Sequence, residues 1–194
     1  MTLAQETRYY SPEEYLELEV NSEIRHEYIN GLIIPMTGGT PNHNQLAGNF
    51  YAVLNFALKR QPYQVFVTDQ RLWIPDKKIH TYPDVMVVKN PLIYEEGRKD
   101  TLVNPAMIAE VLSKYTRSKD RDEKFAAYRA ITTVQEYILI DQYTMHVEQY
   151  FRTDNNKWIF SEITDADKNL NLASIPCQIT LADIYDKVEF NTEE

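Results

Sequence analysis

Asp84 and Glu110 are the two residues in this chain whose charge their neighbours make expensive. Asp84 follows Tyr82-Pro83 and directly precedes Val85-Met86-Val87-Val88, while Glu110 interrupts the apolar run from Ala106 to Leu112. Side chains alternate along a strand, so Glu110 should share a face with Ile108 and Leu112. An ionised carboxylate there is costly unless a cation or hydrogen bonds compensate it. If the strands carrying the two residues are neighbours, both carboxylates can converge on one divalent cation, and oxygen ligands of this kind favour Mg²⁺ or Mn²⁺. A second reading stands beside this one: each carboxylate caps a loop or forms a salt bridge. Lys124 bears on the choice. Asp120 and Glu123 read as a helix start, a capping aspartate with an acid three residues on. That would put Lys124 near the first turn, where the helix dipole disfavours a cation. Tyr128 lies one turn further on the same side. Lys124 can therefore reach a carboxylate pair or a phosphate, or it faces solvent and pairs with Asp120.

The elements that must position these residues are legible as patterns. Ser11-Pro12-Glu13-Glu14 predicts a helix start, with Ser11 and Glu14 forming a capping box and Pro12 at a position where its missing N–H costs little. Glu27–Met36 predicts a hairpin turning at Asn30-Gly31. Thr40-Pro41 opens a second helix, in which Leu46, Phe50, Val53, Leu54, Ala57 and Leu58 recur at helical spacing. Strands are expected at Val65–Ile74, Val85–Val88 and Ala106–Leu112, the last two central in their sheet. A third helix should run from about Asp120 to Ala130. Strands at Glu136–Asp141 and Met145–Phe151 follow, then an edge strand at Trp158–Thr164 and a terminal helical turn at Leu181–Val188. This order predicts an α/β (α+β) fold with a mixed central β-sheet flanked by helices.

Composition narrows the class. The chain has 194 residues, with 20 Lys+Arg against 29 Asp+Glu and a formal net charge of −9. That length suits a single domain spanning 1–194. At 43% hydrophobic and 25% charged, wholesale disorder is excluded. No window approaches the roughly 18–20 apolar residues that span a bilayer, and Met1–Tyr10 has no basic-then-apolar leader, so a cytoplasmic protein without a membrane partner is expected. A lone cysteine, Cys177, excludes an internal disulfide framework and a thiolate zinc cluster. Charge is unevenly spread: residues 114–129 hold six basic and three acidic side chains, whereas the rest of the chain carries a net −12. This basic island either attracts phosphate or is a solvated, salt-bridged helix face.

An ordered series of residues carries a resemblance. Glu27–Gly31, Asn42-His43, Asp69, Pro83-Asp84, Glu110-Val111-Leu112-Ser113, Thr116-Arg117, Asp120, Lys124, Tyr128 and Glu136-Tyr137 resemble the Uma2 (DUF820) family of endonucleases, within the PD-(D/E)XK, or restriction-endonuclease-like, nuclease superfamily. The resemblance extends over about residues 8–188. It implies a metal-dependent endonuclease that hydrolyses phosphodiester bonds in DNA, often as a homodimer. In that family's terms Asp84 and Glu110 would bind Mg²⁺ or Mn²⁺ with help from the backbone carbonyl of Val111, and Glu27 resembles an upstream acid that completes the site. The superfamily pattern also places a lysine two residues after the strand glutamate, where this chain has Leu112. Lys124 is the candidate for a lysine displaced to the following helix, and Lys114 is its alternative if the strand runs on.

Other readings remain open at this stage. The missing lysine and the net acidity suit a nuclease-fold binding or assembly module that does not cleave. A metal-free small-molecule binder would hold Glu27, Asp84 and Glu110 far apart. His43 is either a polar residue at a helix start or a hydrogen-bonding partner across the site. Asp69 and Arg71 are expected as a same-face pair in one strand, and Ser113 as a hydroxyl serving its local backbone. Arg117, Lys119 and Arg121 either contact phosphate or belong to a solvated loop.

Overall fold

A computed structural model of the chain describes residues 8–190 apart from 115 and 167, so most of the N-terminal stretch 1–10 lies outside the described residues. Ser11 caps α1 (Pro12–Val20) through the reciprocal bonds the sequence predicts: its hydroxyl accepts from the Glu14 N–H, and the Glu14 carboxylate accepts from the Ser11 N–H. β1 (His26–Ile29) and β2 (Leu32–Pro35) form the expected hairpin, with Asn30 and Gly31 both at positive φ, 49° and 94°. Thr40 caps α2 (Pro41–Ala57), whose Leu46, Ala47, Phe50 and Leu54 are buried.

Strands dominate the rest: β3 (Tyr63–Val67), β4 (Arg71–Ile74), β5 (Ile79–Thr81), β6 (Val85–Lys89), β7 (Thr101–Leu102) and β8 (Pro105–Leu112). A helical segment then runs through α3 (Arg117–Lys119), a π-helical stretch Asp120–Lys124 and α4 (Phe125–Tyr128). β9 (Glu136–Asp141), β10 (Val147–Arg152), β11 (Trp158–Ile163), β12 (Asn169–Leu172), β13 (Cys177–Thr180) and α5 (Leu181–Ile184) follow.

The central sheet has the order β11-β10-β9-β8-β6-β3, antiparallel except for the parallel β8–β9 pair. It is the mixed sheet the sequence predicts, with β6 and β8 inside and β11 at one edge. Alternation sorts its side chains into two cores. Val85, Val87, Met107, Ala109 and Val111 pack beneath α2, α5 and the β12–β13 hairpin. Met86, Val88, Ile108 and Leu112 pack with Tyr128, Ile131 and Tyr137 on the opposite face. Glu110 falls on the second face, with Ile108 and Leu112, as strand alternation requires.

The structure departs from the expected elements in three places, each with a physical cause. Val65–Ile74 is not one strand: Thr68 sits at φ 54°, the polar stretch Thr68-Asp69-Gln70 leaves the central sheet, and β4 enters a second sheet ordered β2-β1-β5-β4-β7. Asp69 and Arg71 are therefore not partners; Asp69 meets Arg25 at 3.3 Å, and Arg71 is buried on Asp100 and the hydroxyls of Thr101 and Tyr82. Four short strands, β5, β7, β12 and β13, have two to four residues each and no turn signal such as Asn30-Gly31 to mark them, so they carry no periodic signal. Finally, the third helix begins at Arg117, three residues before Asp120. The Asp120 N–H donates to the Thr116 carbonyl at 2.8 Å, so Asp120 lies within the helix instead of capping it, and Lys124 stands well inside the segment.

Candidate active site

The antiparallel register of β6 and β8 pairs Val85 with Ala109, which sets Asp84, the residue just before β6, beside Glu110. The Asp84 N–H points to Glu110 Oε2 at 3.4 Å, while Asp84 Oδ2 accepts from the Val111 N–H at 2.7 Å. The two acids thus meet across neighbouring strands, as the first of the two readings requires. His43, in the first turn of α2, brings Nε2 to 3.1 Å from Asp84 Oδ2. A Cβ at Gly39 would come within 2.7 Å of His43 Nδ1, so the loop can lie against the ring only because that residue is glycine. Of the two roles open to His43, the structure shows the cross-site contact.

Lys124 arrives from the helical segment. Its Nζ donates to Glu110 Oε1 at 3.0 Å and lies 3.4 Å from Asp120 Oδ1 and 3.7 Å from Glu27 Oε1. Asp120, Lys124 and Tyr128 follow at intervals of four, so all three line the same side, and the Tyr128 hydroxyl donates to Glu110 Oε1 at 2.6 Å. The π-helical stretch that carries Asp120 and Lys124 is a backbone form often found at functional sites. Glu27 reaches the cluster from β1: Oε1 accepts from the Thr81 hydroxyl at 2.6 Å and Oε2 from Lys119 Nζ at 2.9 Å. Lys124 stands between Glu27 and Glu110, so Glu27 joins the acid pair through this ammonium.

Four carboxylates therefore crowd around two lysines and an imidazole, and burial competes with these neighbouring charges to set the protonation of each. Loss of water pushes the Glu110 carboxyl up to about 8, with Asp84 and Asp120 adding to the rise against the pull of Lys124. Burial also works against the charges of Lys124 and Glu27. For Lys124 the surrounding carboxylates outweigh it and hold the ammonium protonated; for Glu27 the two lysines and Thr81 win and keep its carboxyl below the ordinary range. Burial would lower His43, and the Asp84 carboxylate more than offsets it. A buried acid pair with too little positive charge suits a hard divalent cation, and the all-oxygen donor set of Asp84 and Glu110 is of the kind that binds Mg²⁺ or Mn²⁺.

Several candidates lie elsewhere. Lys114 follows the end of β8 and rests over the Tyr143 ring, away from Glu110. The Ser113 hydroxyl meets Thr116, accepting its N–H, and so serves the local turn as expected. Arg117 is paired with Asp141 and Arg121 with Glu148. His146, Glu148 and Glu162 also bring ligand atoms within 4.8 Å of one another, the one such set among the described residues. There, however, Glu148 already accepts from Arg121 on both oxygens and from the Tyr150 hydroxyl. That ion pair ties the outer side of the π-helical stretch to β10. Arg121→Ala is expected to cost about 2 kcal/mol by stranding the buried Glu148, seen as a fall of roughly 4–8 °C in a thermal melt; an unchanged melt would show that the pair holds nothing. An open cleft of about 650 Å³ between α1 and the 95–98 loop is walled by four acids, Glu13, Glu17, Glu95 and Glu96, against one cation, Arg98, which is already paired with Asp100, so its lining is net acidic and disfavours phosphate.

Lys119, Asp120, Thr81 and His43 are members of the cluster that residue patterns did not commit to. The signal for Lys119 was present as the basic island; Thr81 had none, because β5 is three residues long.

Comparison with known proteins gives the family and the fold. A family model described as "Uma2: Putative restriction endonuclease" matches residues 12–183. Two uncharacterized proteins of Synechocystis sp. are similar: sll1609, 36% identical over 84% of this chain and 92% of its own length, and slr1290, 30% identical over 93% of each. The crystal structure of a "putative nuclease belonging to DUF820" from Anabaena variabilis shares the fold, with a TM-score of 0.74 at 21% identity over 91% of this chain and 97% of that one. The chain belongs to the Uma2 family.

Proposed function

We propose that this protein is a metal-dependent endonuclease that hydrolyses phosphodiester bonds in DNA, with Asp84, Glu110 and Lys124 as its catalytic set. One observation carries the proposal: Lys124 reaches Glu110 at 3.0 Å from the helical segment, where it would take the role that Leu112 leaves open. Asp84 and Glu110, with the Val111 carbonyl and Glu27, would hold Mg²⁺ or Mn²⁺. The ion would polarise the phosphoryl oxygens and lower the pKa of a bound water.

The remaining work falls to the chain. The Val111 N–H fixes one Asp84 oxygen, and the Tyr128 hydroxyl and Lys124 together fix Glu110, so the acids keep their orientation when substrate arrives. Lys124 supplies a fixed positive charge beside Glu110 that can orient a water or offset charge gathering on the phosphoryl group. Homodimer formation and cytoplasmic residence belong to the same proposal, the former checked by sedimentation.

Purified protein should nick plasmid DNA with Mn²⁺ or Mg²⁺, and Asp84→Ala should reduce cleavage to background. Equal cleavage by the two proteins would assign the activity to something else. The competing reading, a nuclease-fold module that does not cleave, draws on the same contacts, since Lys119 and Lys124 already neutralise Glu27. It predicts no cleavage and no thermal shift on adding millimolar Mn²⁺.

A further inference from the structure

The cations between Arg117 and Lys124 separate by what already holds them. Arg117 is committed to Asp141 and Arg121 to Glu148, both acids buried. Lys124 is enclosed by Glu110, Asp120 and Glu27. Lys119 is partly exposed like the two arginines, and among the described residues its one ion-pair partner is Glu27, also buried; it differs in that its partner has a second cation, Lys124, beside it. Glu27 is not left bare without it: Lys119 holds Oε2, while the Thr81 hydroxyl and Lys124 face Oε1. Lys119 also lines a small cavity of about 30 Å³ beside the cluster, shared with Glu27, Lys124 and Tyr128 and walled by Ile29, Ile74 and Ile79. An ammonium on a flexible stem, with three rotatable donors, can exchange one anion for another at small cost. A buried ammonium that three carboxylates enclose cannot.

We propose that Lys119 is a substrate-binding residue of this site, donating to a backbone phosphate of a nucleic-acid strand lying against the Asp84–Glu110 pair. This rests on the nuclease reading above and deepens it: Lys124 stays within the acid cluster, and Lys119 meets the strand. Such a contact positions the backbone and carries no base sequence.

The test is binding of a fluorescein-labelled DNA duplex followed by anisotropy in EDTA, between 50 and 200 mM salt, for wild type, Lys119→Gln, Lys119→Arg and Lys59→Gln. Lys59 lies just past the far end of α2 from His43, so its variant controls for net charge. Lys119→Gln is expected to weaken binding by about five- to tenfold at low salt and to flatten the plot of log K against log salt by about 1. Lys119→Arg should recover most of the affinity, and Lys59→Gln should match wild type. The proposal is overturned if Lys119→Gln binds with wild-type affinity and salt slope, or if Lys59→Gln loses as much. Were Lys119→Gln poorly folded by circular dichroism, the arginine variant would decide, since a lost affinity there with an intact fold contradicts a simple phosphate contact. Manganese-dependent cleavage alongside an unaffected Lys119→Gln removes this proposal alone; a wild type that neither binds nor cleaves DNA removes the nuclease reading with it.

Discussion

Lys124→Met is expected to destabilise the protein by about 3–5 kcal/mol at pH 8, the usual cost of stranding buried charge by removing its partner. For a chain of this length that lowers the thermal midpoint by roughly 10 °C. Methionine keeps most of the lysine stem, so the loss reports the ammonium and not a cavity. Glu110, Asp120 and Glu27 would then face one another with Lys119 on Glu27 and the His43 ring on neighbouring Asp84. The acids can escape by binding protons that the unfolded chain would release. The variant's stability should therefore fall as pH rises, and its deficit against wild type should be smaller at pH 5 than at pH 8. Cleavage should drop by about 10²–10⁴-fold, the range for a positioned acid, base or electrostatic group. Lys124→Arg should not rescue it, since a planar fork does not fit a cage shaped around one ammonium. A melt unchanged at both pH values would mean that the acids do not depend on this lysine.

Much of this arrangement was legible because it is local. The Ser11–Glu14 capping box and the Asn30-Gly31 turn each lie within a few residues of chain, and both formed as predicted. Glu110 stood out because an acid in a buried strand is a conflict that only a partner resolves; Lys124 stood out as a cation expected in a helix first turn, a premise the earlier helix start removes, although its side chain does reach the acids. What the sequence hid depends on long-range pairing. Thr81 becomes a donor to Glu27 only because β5 pairs with β1, and His43 reaches Asp84 only because α2 crosses the sheet at that point. The helix start was misplaced for a different reason. Asp120 has the composition of a cap, yet Thr116 and Ser113 close the turn first and carry Asp120 inside. Its carboxylate then serves Lys124, so the same residue that argues for a boundary in sequence argues for a cluster in space.

Glu110→Gln is expected to abolish cleavage and, unlike Lys124→Met, to make the protein more stable. In the fold the Glu110 carboxyl is pushed up to about 8 from an ordinary 4.5, chiefly by burial. A raised carboxyl favours the folded state fully below about pH 4.5, and that contribution is lost as pH rises through about 8. Above that point the wild type carries a buried, poorly compensated charge. Glutamine keeps an acceptor for the Tyr128 hydroxyl and the Lys124 ammonium without titrating, and Lys124 retains Asp120 and Glu27. The expected gain at pH 8.5 is on the order of 2 kcal/mol, or about 4–8 °C in the melt; it should shrink to a small fraction by pH 5, where Glu110 is protonated in the fold, and vanish only below about pH 4.5, where the unfolded chain takes up the proton too. On the metal-dependent reading, millimolar Mn²⁺ should raise the wild-type midpoint and leave that of the variant unchanged. Because the two residues touch, their effects should couple: Lys124→Met with Glu110→Gln should be more stable than Lys124→Met alone at pH 8. A glutamine variant less stable than wild type at pH 8.5 and pH 5 alike would mean that Glu110 is held ionised for structure and not, at a cost to stability, for chemistry.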